Sequence, residues 1–135
     1  MKRFFRCKTK KYLKHLPHVS VIVIFHNEHL SILLRTVHGI FNRSPPELLD
    51  EIIMVNDASV KDELQEPLQK YVSTHFNGKV KIVNLKERKG LIVARLEGAK
   101  VATSEVLVFL DSHMEVNANW LPPLIGELIY LFIEH

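Results

Sequence analysis

Val106-Leu107-Val108-Phe109-Leu110-Asp111-Ser112-His113 decides how the chain folds. An apolar run without alternation stops at a carboxylate, a hydroxyl and an imidazole. A run of this length predicts a strand buried on both faces, as in a parallel sheet covered by helices. At the carboxyl end of such a strand the backbone leaves the core, and there open α/β sheets meet their ligands. Asp111 and His113 lie two apart, so extended geometry points both side chains the same way. A carboxylate oxygen and an imidazole nitrogen converging there can share one divalent cation. The competing reading is local: Asp111 caps the next helix and His113 stands in solvent.

Three further stretches share this pattern. Val19 to Phe25 is β-branched and nearly all apolar and stops at His26-Asn27-Glu28-His29. Asn27 is placed to cap the following helix, with Glu28 in its first turn. Ile32, Leu33, Thr36, Val37, Ile40 and Phe41 recur at helical spacing until Ser44-Pro45-Pro46 ends the helix. Glu51 to Val55 runs into Asn56-Asp57-Ala58-Ser59. A helix over Lys61 to His75 follows, with Leu64, Leu68, Tyr71, Val72 and His75 on one face and Pro67 in its first half. Val80 to Leu85 reads as a third strand, Lys86 to Gly90 as a charged loop and Leu91 to Ala102 as a helix. A last helix begins near Asn119. Strands alternating with helices imply right-handed βαβ crossovers and a mostly parallel, Rossmann-like sheet with helices on both faces. His26-Asn27-Glu28, Asn56-Asp57, Lys86 to Gly90 and Asp111-Ser112-His113 then all fall at the ligand-bearing edge.

Composition sets the outer bounds. At 135 residues, 47% hydrophobic and 24% charged, the chain is at most one ordinary globular domain. Lys2, Arg3, Arg6, Lys8, Lys10, Lys11 and Lys14 crowd a basic arm over residues 1–18, and the body without it is slightly acidic. A nucleic-acid partner is therefore not expected for the body. Cys7 stands alone, which excludes an internal disulfide and a cysteine zinc cluster. Leu121 to Ile133 contains Pro122, Pro123 and Glu127 and falls short of the roughly 20 residues of a spanning helix. Phe4-Phe5 is too short for the apolar segment of a signal peptide.

Each loop has a functional and a plain reading. Asp57 can grip a ribose or a base edge, or it can cap the turn into the next helix. Arg88 and Lys89 beside Gly90 suit an anion, since a guanidinium offers a planar fork and glycine lets backbone come close. A solvated charge run has the same composition. His26 can stack on a base or bond to nearby backbone. Arg95 reads as a side chain snorkelling from a core-facing helix, and Trp120 as core. There is no Walker pattern, no spaced dinucleotide fingerprint and no Ser-His-Asp or Cys-His arrangement. The residues by themselves lead to a metal-assisted nucleotide site.

Taken together, the motifs resemble one family. Phe25-His26-Asn27-Glu28, Leu33-Leu34-Arg35-Thr36-Val37, Ser44-Pro45-Pro46, Glu51 to Ser59, Glu87-Arg88-Lys89-Gly90-Leu91 and Phe109 to Asn117 follow in order. Over Val19 to Leu124 the chain is similar to the polypeptide N-acetylgalactosaminyltransferases, which have a family 2-like glycosyltransferase, GT-A fold. The resemblance implies a nucleotide-sugar-binding half-domain in the Golgi lumen, Mn²⁺, UDP-N-acetylgalactosamine as donor and a Ser or Thr hydroxyl of a protein as acceptor, with retained configuration. Carried over by position, Asp111 and His113 are metal ligands and Ser112 touches the donor. His26 and Asp57 border the uridine, Ile24 contacts it partly through backbone, and Arg88 reaches the donor.

Asn56 stands where members often have aspartate and Met114 where they often have cysteine. The resemblance places a third metal ligand (a histidine), the acceptor groove, a mobile loop and a lectin domain after His135, and an anchor and stem before Met1. The expectation is a partial, truncated catalytic domain over 19–135 behind the basic arm, with no catalytic residue identifiable in this portion. The alternative is an inactive isoform or fragment that serves as a binding or regulatory module. A third reading is a membrane- or RNA-binding arm on an inert domain.

Overall fold

The computed structural model describes Lys11 and residues 13–133. The first ten residues of the basic arm, Cys7 among them, lie outside the described residues. The order is β1 (Val19–Phe25), α1 (Leu30–Arg43), β2 (Leu49–Asn56), a 3₁₀ turn (Asp62–Leu64), α2 (Glu66–His75), β3 (Val80–Asn84), α3 (Leu91–Val101), β4 (Val106–Asp111) and α4 (Leu121–Ile133).

The four strands form one parallel sheet in the order β3-β2-β1-β4. The chain runs outward from β1 through β2 to β3, then returns to pair β4 on the other side of β1. That reversal creates a switch point between the carboxyl ends of β1 and β4, where an open α/β sheet leaves a crevice. Ile24 is in register with Asp111 there, and with Val55 on its other side.

Helices cover the two faces unequally. Val19, Val21, Val23 and Phe25 point to the side holding Leu33, Val37 and Ile40 of α1, Leu68 and Val72 of α2, and Leu121 and Ile125 of α4. Ile22, Ile53 and Val55 point to the side holding α3, which buries only Ala94 and Gly98. β4, expected to be buried on both faces, is half-buried, and Phe109 keeps 39% of its surface exposed. The cause is position: β4 is an edge strand paired only to β1 among the described residues. Arg95, predicted to snorkel, lies with its guanidinium carbon 5.9 Å from the Phe109 ring centroid.

Several boundaries differ from expectation for local reasons. α1 starts at Leu30 with His29 before it, so Asn27 does not cap it and Glu28 is outside its first turn. Asn27 adopts φ 51° and accepts the Val60 N–H instead. Pro67 sits in the first turn of α2, where a missing N–H breaks no helical bond, and the preceding segment is a 3₁₀ turn. His75 is exposed and stacked on Tyr71 at 3.8 Å, while Phe76 takes the buried position. Trp120 packs against the core and donates from Nε1 to Ser44 Oγ at 2.9 Å.

Gly98 sets how closely α3 lies on the sheet. A Cβ there would fall 2.5 Å from Ile22 Cγ2 and 3.0 Å from Val55 Cγ2, both on β-branched side chains with little freedom. Overpacking of a core contact outweighs the gain in helix propensity. Gly98→Ala is expected to lower stability by about 1 kcal/mol. Urea unfolding measures it, and an unchanged or raised midpoint would show that α3 can move away freely.

Candidate functional site

All four strand-end loops meet at the switch point. A cavity of 220 Å³ is lined by Ile24, Phe25 and His26 from β1, Asp57 after β2, Arg88, Gly90 and Leu91 before α3, and Asp111, Ser112 and His113 from β4. The seven residues singled out from the sequence therefore surround one space.

Asp111 ends β4 with its side chain exposed, and no hydrogen bond or ion pair engages its carboxylate among the described residues. His113 is also exposed, with Nδ1 3.5 Å from Glu28 Oε2. Ser112, between them, is buried and donates from its hydroxyl to the same Glu28 Oε2 at 2.9 Å. The turn is tied down from α1: the buried Thr36 hydroxyl lies 2.8 Å from the Ser112 carbonyl and 3.1 Å from the Met114 carbonyl.

Glu28 and Thr36 are the functional-site residues that sequence reasoning missed. Glu28 reads locally as a helix-start acid, and its partner Ser112 is 84 residues away. Thr36 fits the apolar face of α1, and nothing in the linear pattern marks its hydroxyl as a tether. The His29 backbone N–H, first among its contacts, holds the Glu28 carboxyl below the ordinary range; burial opposes this, and Ser112 and His113 add to it. Glu28 is accordingly an anion beside the Asp-Ser-His turn.

His26 has the backbone partner that its position allowed. Its Nδ1 is 2.7 Å from the Asp57 carbonyl, an acceptor only, so Nδ1 carries the proton and donates. Nε2 is then an acceptor, 3.2 Å from Asn27 Nδ2. Asp57 is 3% exposed. It clamps the loop that enters α3: Oδ1 accepts the Lys89 N–H at 2.7 Å and Oδ2 the Gly90 N–H at 3.0 Å, just before the helix begins. Gly90 has φ 84°, with nothing within 4 Å of where a Cβ would stand, so backbone conformation is what requires glycine here. Arg88 is exposed at the cavity rim. Lys89, by contrast, pairs with Glu87. Asn56 accepts the Ser59 N–H on its side-chain oxygen and donates to Asn84 Oδ1, so the amide holds the following turn and bridges β2 and β3.

An exposed carboxylate and an imidazole fit a divalent cation that takes oxygen and nitrogen donors, Mn²⁺ among them. No group of three or more His, Cys, Asp or Glu side chains comes together among the described residues. No helix of the described residues is long and apolar enough to cross a membrane.

Comparison with known proteins agrees with this geometry. Residues 20–130 match the sequence profile of glycosyl transferase family 2. N-acetylgalactosaminyltransferase 4 of Drosophila melanogaster is 58% identical over 119 residues, which are 88% of this chain and 18% of that protein. Human polypeptide N-acetylgalactosaminyltransferase 10 is 51% identical over 122 residues, 90% of this chain and 20% of that one. The chain thus spans about a fifth of the length of the curated relatives it matches. The crystal structure of GalNAc-T7 with UDP, GalNAc and Mn²⁺ aligns with a TM-score of 0.81 at 43% identity, covering 84% of this chain and 21% of that one. The mannosyltransferase PcManGT of Pyrobaculum calidifontis, in complex with GDP-Man and Mn²⁺, aligns at 0.71 and 24% identity over 96% of this chain and 38% of that one, a likeness of fold.

Proposed function

Because the chain belongs to glycosyl transferase family 2, we propose that its cavity binds UDP-N-acetylgalactosamine with Mn²⁺, as the donor-binding half of a retaining transferase that glycosylates Ser and Thr of proteins. One observation carries the reading: Ile24, His26, Asp57, Arg88, Asp111, Ser112 and His113, from four separate loops, line one cavity at the switch point. The sequence similarity to N-acetylgalactosaminyltransferases supports the choice of sugar and nucleotide.

Ile24, His26 and Asp57 border the uridine, Arg88 reaches the donor's anionic part and Ser112 lies against the donor. Asp111 and His113 hold Mn²⁺, which when bound neutralises the diphosphate and so assists its departure. The body over 19–135 acts as part of a catalytic domain behind the basic arm of residues 1–18. The whole protein works in the Golgi lumen.

Calorimetric titration of the folded chain with UDP tests this. Binding is expected with Mn²⁺ and strongly weakened when EDTA removes it. Absence of Mn²⁺-dependent UDP binding by well-folded protein would overturn the reading. A narrower role, a non-catalytic module that binds the donor through the same cavity, is the second reading. Sugar transfer to a Thr-rich peptide separates the two, because the module binds donor without transferring it.

A further inference from the structure

Asp57 is more tightly engaged than a residue free to read a ligand. Its N–H donates to the Phe25 carbonyl at 2.9 Å, and its carbonyl accepts from His26 Nδ1 at 2.7 Å. Its carboxylate takes the Lys89 and Gly90 N–H groups, one on each oxygen. Charge-assisted bonds of this kind are about twice as strong as neutral ones. One buried residue therefore joins the β1 loop to the loop that precedes α3.

That second loop has two fixed points, both on the end of β2. It starts where the Leu85 N–H meets the Asn56 carbonyl at 2.9 Å, and it ends where Asp57 holds residues 89 and 90. Between these points the side chains of Lys86, Glu87 and Arg88 are exposed. Arg88 is the last residue before the clamp, and it lines the cavity. Fixing the backbone at 89 and 90 restricts where the guanidinium can stand and lowers the entropy it loses on meeting an anion.

From this geometry we infer that Asp57 is a positioning residue that presents Arg88 to the pyrophosphate of the nucleotide. The inference rests on the proposed nucleotide-binding function and changes the part Asp57 plays in it. Each carboxylate oxygen keeps a second lone pair, so direct reading of the base is the competing role.

The two roles differ in which part of the ligand feels the substitution. In Asp57→Asn the side-chain amide must turn its NH₂ toward one of the two N–H groups, and the clamp opens. The variant, Arg88→Ala and the double variant are titrated with UDP and Mn²⁺ by calorimetry, and with uridine by NMR shifts at millimolar concentration. Asp57→Asn is expected to weaken UDP about tenfold, the cost of a lost charged hydrogen bond, and to weaken uridine, which Asp57 borders, by clearly less. The double variant should bind UDP no worse than the weaker single variant, as coupled residues do. Gly90→Ala, which strains the φ 84° turn without touching Asp57, should reproduce the selective loss of UDP and covers the case in which Asp57→Asn does not fold. Equal losses for uridine and UDP, or additive losses in the double variant, would overturn the positioning role. Failure of the unaltered chain to bind UDP would instead overturn the function on which it rests.

Discussion

Asp111→Ala and His113→Ala are each expected to lower the Mn²⁺-dependent affinity for UDP by about 100-fold or more. Loss of a partner that merely orients a metal ligand already costs about 10–100-fold, and these residues are proposed as the ligands themselves. Among the described residues no group of three or more His, Cys, Asp or Glu side chains comes together, so each proposed ligand carries a large share of the site. Neither variant should disturb the fold. Asp111 engages no other group among the described residues, and His113, with 62% of its side chain exposed, meets only Glu28, at 3.5 Å. Melting without ligand should stay within the roughly 0.5 kcal/mol typical of surface changes, while the stabilisation by Mn²⁺ and UDP together should vanish. Asp111→Asn keeps the shape and removes the charge, and should behave like Asp111→Ala. Retention of Mn²⁺-dependent UDP binding by either alanine variant would move the cation away from these two side chains.

The elements were legible because their signals are strong and local. Val21 to Phe25 and Ile52 to Val55 are unbroken apolar runs at the core of the sheet, and buried parallel strands need nothing subtler. The convergence of the site was legible for a related reason. In a parallel sheet every strand-to-helix loop lies on the same edge, so alternation alone gathers four loops. What escaped was everything decided between distant parts of the chain. Strand order cannot be read from alternation, and the β3-β2-β1-β4 order is what leaves β4 half-covered and opens the crevice beside it. Glu28 and Thr36 serve a turn 76 to 84 residues away. Asn27 and Asp57 were assigned the nearest available caps, whereas each bonds across strands to another loop. Helix α3 is a further case: apolar around its circumference, it buries only Ala94 and Gly98 and leaves Leu91, Ile92 and Leu96 exposed. The apolar pattern announced a helix but not which of its faces meets the sheet.

At the opposite edge of the sheet, Glu51→Ala is expected to remove about 2–3 kcal/mol of stability, the upper part of the range for leaving buried hydrogen-bonding groups without their partner. That is much of what holds a domain of this size together. Glu51 is 3% exposed and joins four segments. Oε1 accepts from Ser20 Oγ on β1 at 2.7 Å and from the Thr103 N–H and hydroxyl at 2.8 and 2.9 Å, between α3 and β4. Oε2 accepts from Lys81 Nζ on β3 at 2.6 Å. Removing the carboxylate leaves the Ser20 hydroxyl and the Thr103 N–H without their acceptor, and such orphaned donors cost about 1–3 kcal/mol each. Burial by itself would push the Glu51 carboxyl up; the Lys81 ammonium, Ser20 and Thr103 outweigh it and bring the pKa from 4.5 down to about 2. A carboxyl depressed in the folded state stabilises the fold at pH above its unfolded pKa and loses that contribution as pH falls through the folded one. The window here is from about pH 4.5 down to about 2. The drop corresponds to about 3 kcal/mol at neutral pH, and to somewhat less because the Lys81 side chain is 51% exposed and partly screened. Urea unfolding at pH 7, 5, 4 and 3 measures both effects. The parent chain should weaken steeply below pH 4.5, whereas Glu51→Gln should start lower and fall less over the same range. A cost below about 1 kcal/mol for Glu51→Ala, together with identical acid limbs for parent and Glu51→Gln, would show that the four segments are held by packing and not by this carboxylate.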